Sequence, residues 1–380
     1  VFEGVAVDIT LVGGSGQFSA TLEAAGLDLP LLRAWMPSLP GIDWIKRAGA
    51  DIRVRYEQVD DGPPDWSARL ALHDLAFDSP DGQYAGEALR ADLAAALDPE
   101  DPFRVALEGE VRGGEVLIGD FYRDFSDGGL SFFLDPHWRN GVLDVPNVRF
   151  SDGHSLRAEG SVRYSETGPS VRVNQLELRF PGAYERYLES AAAAWTLDGL
   201  EVTGRLSWSG KWLGEVFESG DLLLQDLTMV DGRRNRFAVT GLDARLRPGD
   251  AEYVSSLAWR GLLLGRINLG PGATELDPEP GVIGIIRPLR LDLLGGSLTV
   301  SEFKMPLPGT AAADREPDFR LSASLDNLDM QRLTAALGWP SFPGAISGEV
   351  PGVRLRDGVL DLEGDIRVSV FDGTVSLGDL

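Results

Sequence analysis

The sequence predicts an all-β protein, a long antiparallel meander curled into an elongated open groove with a few short helices at its rims. Apolar and polar residues alternate with a period of two in many short segments, the pattern of strands that have one dry face and one wet face. Between these segments Asp-Gly occurs eight times and Asn-Gly once, and both dipeptides tolerate the positive φ angles of tight hairpins. Strands joined by such short turns pair as antiparallel neighbours, and the spacing of the segments predicts about twenty of them.

The predicted strands follow one another along the whole chain. In chain order, the apolar positions of the clearest segments are Val5, Val7, Ile9 and Leu11; Ile52, Val54 and Tyr56; Phe103, Val105, Leu107 and Val111; Leu156, Val162 and Tyr164; Leu200, Val202, Leu206 and Trp208; and Leu360, Leu362, Ile366, Val368 and Val370. Charged residues such as Glu108, Arg163 and Asp361 fill the intervening positions. Each segment therefore predicts a strand with one apolar and one charged face.

Three short helices are predicted, over residues 30–36, 183–195 and 329–337. The last is followed by Gly338 and Pro340, residue types that end helices. We expect a single elongated repetitive β-groove segment over residues 1–380, subdivided into 1–180 and 196–380 around the helix at 183–195. Because the chain opens and closes within alternating patterns, we also expect it to be a segment of something longer.

Charge composition narrows the classes of partner. The 380 residues include 59 Asp and Glu against 35 Lys and Arg, a formal net charge of −24. Such an acidic surface repels nucleic-acid phosphates and anionic headgroups, which argues against nucleic-acid binding and against electrostatic docking to membranes. No apolar run reaches the roughly 18 residues of a spanning helix. The chain has no Cys, which excludes disulfides, thiolate metal sites and a cysteine nucleophile.

Residues suited to catalysis or metal binding form no recognisable pattern. His73, His137 and His154 lack the spacing of a zinc site. Acidic clusters suit turns and caps better than calcium, and no spacing selects a carboxylate pair for glycoside hydrolysis. We therefore expect no enzyme, no cofactor and no metal, and a polysaccharide-active enzyme is the weakest hypothesis. The nine Trp are expected to pack on the concave face and its rims rather than to stack on sugars.

Two sequence units recur. A Gly-rich turn, an alternating strand and an acidic residue appear at residues 113–121, 295–303 and 372–380. A strand, a short helix and a Pro-rich exit appear near both ends of the chain, with the exits at residues 36–40 and 339–343. Repetition of this kind predicts a modular sheet.

The C-terminal quarter of the chain resembles a known family. Leu-Asp-Met at 328–330, the strand at 346–350, Gly-Val-Leu-Asp-Leu-Glu-Gly at 358–364 and Phe-Asp-Gly-Thr-Val at 371–375 resemble the periplasmic repeats of AsmA-like proteins. This family of bridge-like lipid transfer proteins from Gram-negative envelopes includes TamB, YhdP and YdbH. The resemblance implies a curled β-groove, apolar inside and polar outside, that carries phospholipid between the inner and outer membranes. It also implies a periplasmic location with an inner-membrane anchor outside this segment.

An apolar groove also follows from sheet physics. About twenty strands at roughly 4.8 Å each make a sheet of order 100 Å, which has to curl, split or close because it twists. Few helices are available to cover its dry face, and phospholipid acyl chains suit that face because burial stabilises each methylene by about 0.8 kcal/mol. The expected lining residues are Val54, Leu70, Leu72, Phe103, Val105, Leu107, Leu289, Leu291, Leu293, Leu298, Val300, Leu321, Leu325, Leu360, Leu362, Ile366 and Val368.

The same alternation is compatible with a second hypothesis. In a structural or adhesive β-solenoid or sandwich, the apolar positions would form an ordinary core without lipid cargo. The two hypotheses differ in whether the chain itself covers these side chains.

Overall fold

The computed structural model confirms the all-β prediction. It describes residues 6–14, 17–28, 42–60, 62–119, 121–166, 168–194, 197, 199–214, 216–247, 250, 252–277, 282–306, 319–356, 359–362, 366–370 and 373–377. These residues form 27 strands, which pair with their neighbours in antiparallel fashion. The chain divides into two compact units, unit 1 (Val1–Leu178 and Gly182–Asp198) and unit 2 (Arg179–Pro181 and Gly199–Leu380).

Unit 1 is built on a sheet of consecutive strands. They are β1 (Ala6–Gly14), β2 (Gln17–Asp28), β3 (Ile45–Val59), β4 (Asp65–Asp78), β5 (Tyr84–Asp98), β6 (Asp101–Ile118), β7 (Phe121–Asp124), β8 (Leu130–Leu134), β9 (His137–Arg139), β10 (Val142–Ser151), β11 (Leu156–Ser165) and β12 (Gly168–Phe180). Strands β1 to β6 each pair with the next. The short strands β7, β8 and β9 all pair with β6, and β10 pairs with β8, β9 and β11. Division of long hairpins into such short pieces explains why strands outnumber the prediction.

The Asn-Gly turn behaves as its sequence predicts. Asn140 and Gly141 have φ values of 50° and 78°, the left-handed region that a two-residue type I′ hairpin needs. They connect β9 to β10, where Arg139 pairs with Val142. This turn sets the register in which β10 joins the sheet.

Unit 2 contains two groups of strands. The first group is β13 (Leu200–Leu213), β14 (Val216–Asp231), β15 (Phe237–Leu246), β16 (Ser255–Trp259), β17 (Gly261–Leu264), β18 (Ile267–Asn268) and β19 (Gly272–Leu276). The second is β20 (Val282–Gly284), β21 (Leu289–Leu293), β22 (Gly296–Pro306), β23 (Phe319–Asp329), β24 (Ala345–Arg356), β25 (Val359–Leu362), β26 (Ile366–Val370) and β27 (Gly373–Leu377). The second group is a separate eight-stranded sheet.

Helices are short, and two of the three predictions are confirmed. A π-helical turn (Tyr184–Leu188) continues into α1 (Glu189–Ala194), where a helix was predicted at 183–195. Helix α2 (Met330–Leu337) matches the prediction at 329–337, and a one-turn 3-10 helix covers Ile42–Trp44. The predicted helix at 30–36 lies outside the described residues.

Both ends of α2 are capped, and the cap at its C-terminal end is the one that the sequence predicts. The Asp329 carboxylate accepts hydrogen bonds from the backbone N–H groups of Gln331 and Arg332, a typical N-cap. Gly338 closes the C-terminus with a φ of 71°, the left-handed conformation that favours glycine.

A buried polar cluster attaches the helical segment of unit 1 to its sheet. The Asp152 side chain is fully buried and accepts hydrogen bonds from the backbone N–H groups of Ser155 and Leu156 at 2.7 and 2.8 Å. It also accepts from the Arg186 guanidinium and the Tyr187 hydroxyl, each at 3.1 Å. A turn residue of the sheet thereby holds two residues of the helical segment.

These contacts shift the acidity of both partners. Burial alone would raise the pKa of Asp152, but hydrogen bonds from Ser155 and from the backbone N–H groups of residues 154–156 outweigh it and hold that pKa well below its usual range. Burial and the neighbouring carboxylate raise the pKa of Tyr187. Asp152 therefore stays ionised, and Tyr187 stays protonated, at neutral pH.

Candidate functional site

The candidate site is a set of apolar rows that cross the sheet of unit 1. In each row, every residue is the direct cross-strand partner of the next, from β1 to β12. Row 1 consists of Val7, Ala24, Ile52, Leu70, Leu93, Gly109, Phe132, Phe150, Ala158 and Leu176. Ten strands contribute, so the row is about 43 Å long at roughly 4.8 Å per step.

A second row runs parallel to the first, two residues away along each of the first six strands. Row 2 consists of Ile9, Leu22, Val54, Ala68, Ala95, Leu107, Leu134, Val148, Gly160 and Val173. Because residues two apart on a strand share a face, rows 1 and 2 belong to one surface. We call this surface the apolar face.

The side chains of the apolar face remain partly open to solvent. Val54, Leu93 and Leu134 are half-buried, while Val7 and Ile9 on the first strand are 51% and 60% exposed. The fully buried apolar cluster on this face is small and consists of Leu27, Ala50 and one member of row 1, Ala24.

Aromatic rings occupy one end of the apolar face. Phe18, Tyr56 and Trp66 lie on β2, β3 and β4, with ring centroids 5.8 Å apart for the first pair and 4.7 Å apart for the second. Phe18 and Trp66 are 44% and 40% exposed. Edge-to-face rings of this kind form a rigid apolar rim.

Gly109 allows one large side chain to lie flat along row 1. A Cβ atom at Gly109 would come within 2.7 Å of the Phe132 ring and 2.9 Å of Leu93. The missing side chain therefore lets the Phe132 ring approach β5 across β6. Row 1 is therefore continuous at Gly109, its only member from β1 to β8 that lacks a side chain.

The opposite face of the same strands is charged and ion-paired. The Arg53 guanidinium lies 2.8 Å from Glu23, and Arg112 lies 2.8 Å from both Asp92 and Glu110. These residues alternate along their strands with members of rows 1 and 2. Unit 1 is therefore a sheet with one apolar and one hydrated face.

A depression of about 760 Å³ opens on the charged face of β2–β6 and β8. Most of its lining residues belong to the charged positions, among them Arg53, Arg69, Glu108 and Arg112. Arg112 binds both Asp92 and Glu110 and Arg53 binds Glu23, so several acids of this depression are ion-pair partners. The described part of the chain contains no group of three or more His, Asp or Glu able to hold a metal ion.

The N-terminal residues expected to line a groove lie together on the apolar face. Leu70 belongs to row 1, whereas Val54 and Leu107 belong to row 2. Val105 is half-buried, and Phe103 is 59% exposed; both precede Leu107 at alternate positions of β6. Leu72 packs against the small buried cluster with Leu70.

Sequence reasoning missed several members of the two rows. Ile52, Leu93, Phe132 and Phe150 belong to row 1 without having been proposed as lining residues. Ala68 and Ala95 were missed because alanine is common on both faces of a strand. Only the strand register shows that these residues lie in line with the larger apolar ones.

The C-terminal lining candidates are placed differently. Leu291 and Leu293 are buried in a core with Trp259, Leu269 and Leu328. Leu289, Leu298 and Leu325 are partly buried against the same core. These five candidates pack against residues of β16–β18 within unit 2. The Trp259 indole N–H of this core donates a hydrogen bond to the Gly270 carbonyl at 3.1 Å.

The remaining C-terminal candidates divide into two groups. Val300 and Leu321 are half-buried and pair with Leu289 and Val353, respectively. The side chains of the other four lie outside the described part of the structure, although their backbones form β25 and β26; they are Leu360, Leu362, Ile366 and Val368.

The three histidines have local partners. His73 Nε2 lies 2.9 Å from Asp51 on the charged face, and His137 Nε2 lies 3.1 Å from Asp101. His154 lies in the turn after β10, with its ring nitrogen Nδ1 3.0 Å from the Asp152 carbonyl.

Comparison with known proteins identifies no relative: no family model, no curated protein and no solved structure matches this chain. Among the described residues, no helix has the length and apolar character needed to cross a bilayer.

Proposed function

We propose that this protein is a non-enzymatic lipid transfer module that carries phospholipid acyl chains on the apolar face of unit 1. The observation that carries the proposal is the pair of unbroken apolar rows across ten strands. An acyl chain lying along these rows would remove its own methylene groups and the row side chains from contact with water. At about 0.8 kcal/mol per buried methylene, a few contacts along a chain suffice to hold it.

The arrangement of the rows favours movement over fixed binding. Each row repeats apolar residues at every strand, most of them aliphatic or small and two of them Phe, so neighbouring positions offer an acyl chain similar apolar contacts. The polar headgroup needs no dedicated site because it can remain in water at the margin of the sheet. Transfer therefore requires no catalytic residue and no cofactor.

The family resemblance supplies the cellular setting of the proposal. The AsmA-like repeats that the C-terminal quarter resembles belong to proteins that span the envelope of Gram-negative bacteria. On this basis the module acts in the periplasm, between the inner and outer membranes, with its anchor in a part of the parent protein beyond this segment.

The absence of cysteine allows a sharp test on two adjacent residues. Ala95 belongs to row 2, and Ala96 points to the charged face of the same strand. Single variants Ala95→Cys and Ala96→Cys would be reacted with a maleimide, first in delipidated protein and then after loading with phosphatidylethanolamine. We expect lipid to slow the reaction at residue 95 and to leave residue 96 unchanged. Equal rates at residue 95 with and without lipid would contradict the proposal.

A second pair of variants tests lipid retention. Ala95→Asp places a carboxylate in the middle of row 2, where an acyl chain would have to desolvate it. Ala96→Asp makes the same change on the hydrated face. We expect organic extracts of the first variant to contain several-fold less phospholipid by mass spectrometry than those of the second. Circular dichroism would establish that both variants are folded.

The core of unit 2 favours a second function for that unit. Because Leu291, Leu293 and Leu328 are buried by the chain itself, this unit matches the structural scaffold hypothesis better than the lipid hypothesis. A folded full-length protein whose extracts contain no phospholipid would extend the scaffold interpretation to unit 1.

A further inference from the structure

The end of α2 and the loop that follows it expose three large apolar side chains close together in the sequence. Leu337 is 43% exposed, Trp339 is 62% exposed and Phe342 is 46% exposed. We call residues 337–344 the tip loop. An exposed Trp of this kind costs free energy in water and is typical of a surface that contacts something else.

The charge around the tip loop differs from that of the rest of the chain. Acids number 59 in 380 residues, about one residue in six, yet no Asp or Glu occurs from residue 330 to residue 348. The single charged residue in that stretch is Arg332. Arg332 lies 3.7 Å from Asp329, just before that stretch, so the stretch is close to neutral and the repulsion that argues against membrane docking for the whole protein is weaker here.

A second arginine lies beside the tip loop. A Cβ atom at Gly338 would be 4.0 Å from the Arg266 guanidinium, which belongs to the turn between β17 and β18. Arg266 is exposed and makes no ion pair with the described residues. In the same turn Leu264 is 50% exposed, so an apolar side chain again accompanies the cation.

The backbone of the tip loop also suits an apolar environment. Pro340 and Pro343 have no N–H group, so two of the donors that would otherwise need hydrogen bonds are missing. The five residues Pro-Ser-Phe-Pro-Gly at 340–344 have a sequence counterpart, Pro-Ser-Leu-Pro-Gly at 37–41. That second copy lies outside the described residues.

From these observations we infer that the tip loop docks onto a lipid bilayer surface, with Trp339 and Phe342 in the interfacial region and Arg266 near lipid phosphates. Aromatic rings and arginines are the side chains that favour this region of a bilayer. The charge pattern selects a bilayer over a protein partner, because the loop offers no acids and few backbone donors for specific hydrogen bonds. The inference goes beyond lipid carriage by unit 1 and does not depend on it.

Vesicle flotation with the full chain tests the inference. The probes are vesicles of phosphatidylcholine alone and of phosphatidylcholine with phosphatidylglycerol. We expect the wild type to float with both, and the double variant Trp339→Ser/Phe342→Ser to lose most of its binding to both. Arg266→Glu should lose binding mainly to the vesicles that contain phosphatidylglycerol, because it replaces a phosphate-binding cation with an anion.

Trp138→Ser is the matched control, since Trp138 is 54% exposed on β9 and far from the tip loop in sequence. It should float like the wild type. Flotation of the double variant at the wild-type level would overturn the inference, as would a wild type that does not float. Self-association of the wild type that the double variant abolishes, seen by analytical ultracentrifugation without vesicles, would instead assign the loop to a second copy of the chain.

Phospholipid content of the same preparations separates this inference from the proposed function. The double variant should retain as much extracted phospholipid as the wild type, because the apolar face of unit 1 is unchanged. Loss of flotation with retained lipid supports tip-loop docking, whereas loss of both would mean that flotation had reported on the lipid cargo and would overturn the docking inference.

Discussion

The apolar face of unit 1 and the leucine core of unit 2 come from the same alternating pattern and end in different surroundings. In unit 1, most residues of rows 1 and 2 remain partly exposed, and the buried cluster on the same face consists of Ala24, Leu27 and Ala50. In unit 2, Leu291 and Leu293 pack against Trp259 from another group of strands. An alternating strand therefore predicts an apolar face without predicting whether the chain covers it.

Side-chain size differs between the middle of row 2 and the core of unit 2. The interior positions of β4 and β5 in row 2 are Ala68 and Ala95, whereas the core of unit 2 is built from leucines and one tryptophan. Large side chains can interlock between two layers and gain dispersion energy there. Small ones leave a shallow surface, on which an external apolar chain can lie.

The largest expected effect concerns the polar cluster of unit 1. We expect Asp152→Ala to lower the free energy of unfolding by about 3–5 kcal/mol, because it removes the buried partner of Arg186 and the acceptor of several hydrogen bonds. Hydrogen exchange should increase first in the helical segment at residues 184–194. Glu185→Ala is the control, since Glu185 lies on the same helical segment but is exposed. A loss of less than 1 kcal/mol for the Asp152 variant would show that unit 1 does not depend on this cluster.

Acidification should act through the same carboxylate. The pKa of Asp152 is lower in the folded than in the unfolded protein, so its stabilising effect is present above an unfolded pKa of about 3.9 and disappears as the pH falls towards the folded value. The wild type and Asp152→Ala should therefore differ in unfolding free energy at pH 7 and converge in strong acid. An unchanged difference down to pH 2 would contradict this assignment.

A pair of leucine truncations compares the two apolar regions directly. Leu328 is 2% exposed in the core of unit 2, and Leu328→Ala should lower the free energy of unfolding by about 2–5 kcal/mol. Leu93→Ala in row 1 should cost less, about 1–2 kcal/mol, because that side chain is only partly buried. Equal losses in denaturant titrations would mean that the apolar face is a covered core after all.

The smallest effect is expected on the charged face. Arg53 and Glu23 are 56% and 48% exposed, so Arg53→Ala should change the unfolding free energy by only about 0.2–1 kcal/mol. High salt should remove most of this difference, because the screening length falls to about 3 Å at 1 M. A loss above about 2 kcal/mol that persists in salt would show that this face contributes to the core.

Much of the fold could be predicted from local chemistry. Alternation predicted the strands, Asn140 and Gly141 predicted a tight hairpin, and Gly338 with Pro340 predicted the C-terminal end of α2. These features depend on neighbours in the sequence, which are visible without a structure. The roles of Asp152, Trp259 and Trp339 could not be predicted in this way, because each depends on residues more than a few positions away.

The candidate site was predictable in part. The apolar positions Val54, Leu70 and Leu107 were identified from alternation, and the register then showed that they lie in line with Ala95, Phe132 and others. Leu291 and Leu325 carry the same alternation but lie in a core. For the tip loop, the run without acids was present in the sequence, and only the exposure of Trp339 and Phe342 makes it informative.

By itself, the sequence determined that the protein is an antiparallel β-structure whose strands each have an apolar and a charged side, because side-chain alternation and turn residues act over a few bonds. Only the tertiary structure decided which apolar sides are covered. A leucine is buried only when distant strands supply a second layer, such as the layer that contains Trp259 in the core with Leu291. No local sequence pattern records where that layer lies. The register across ten strands likewise turned separate apolar residues into two continuous rows.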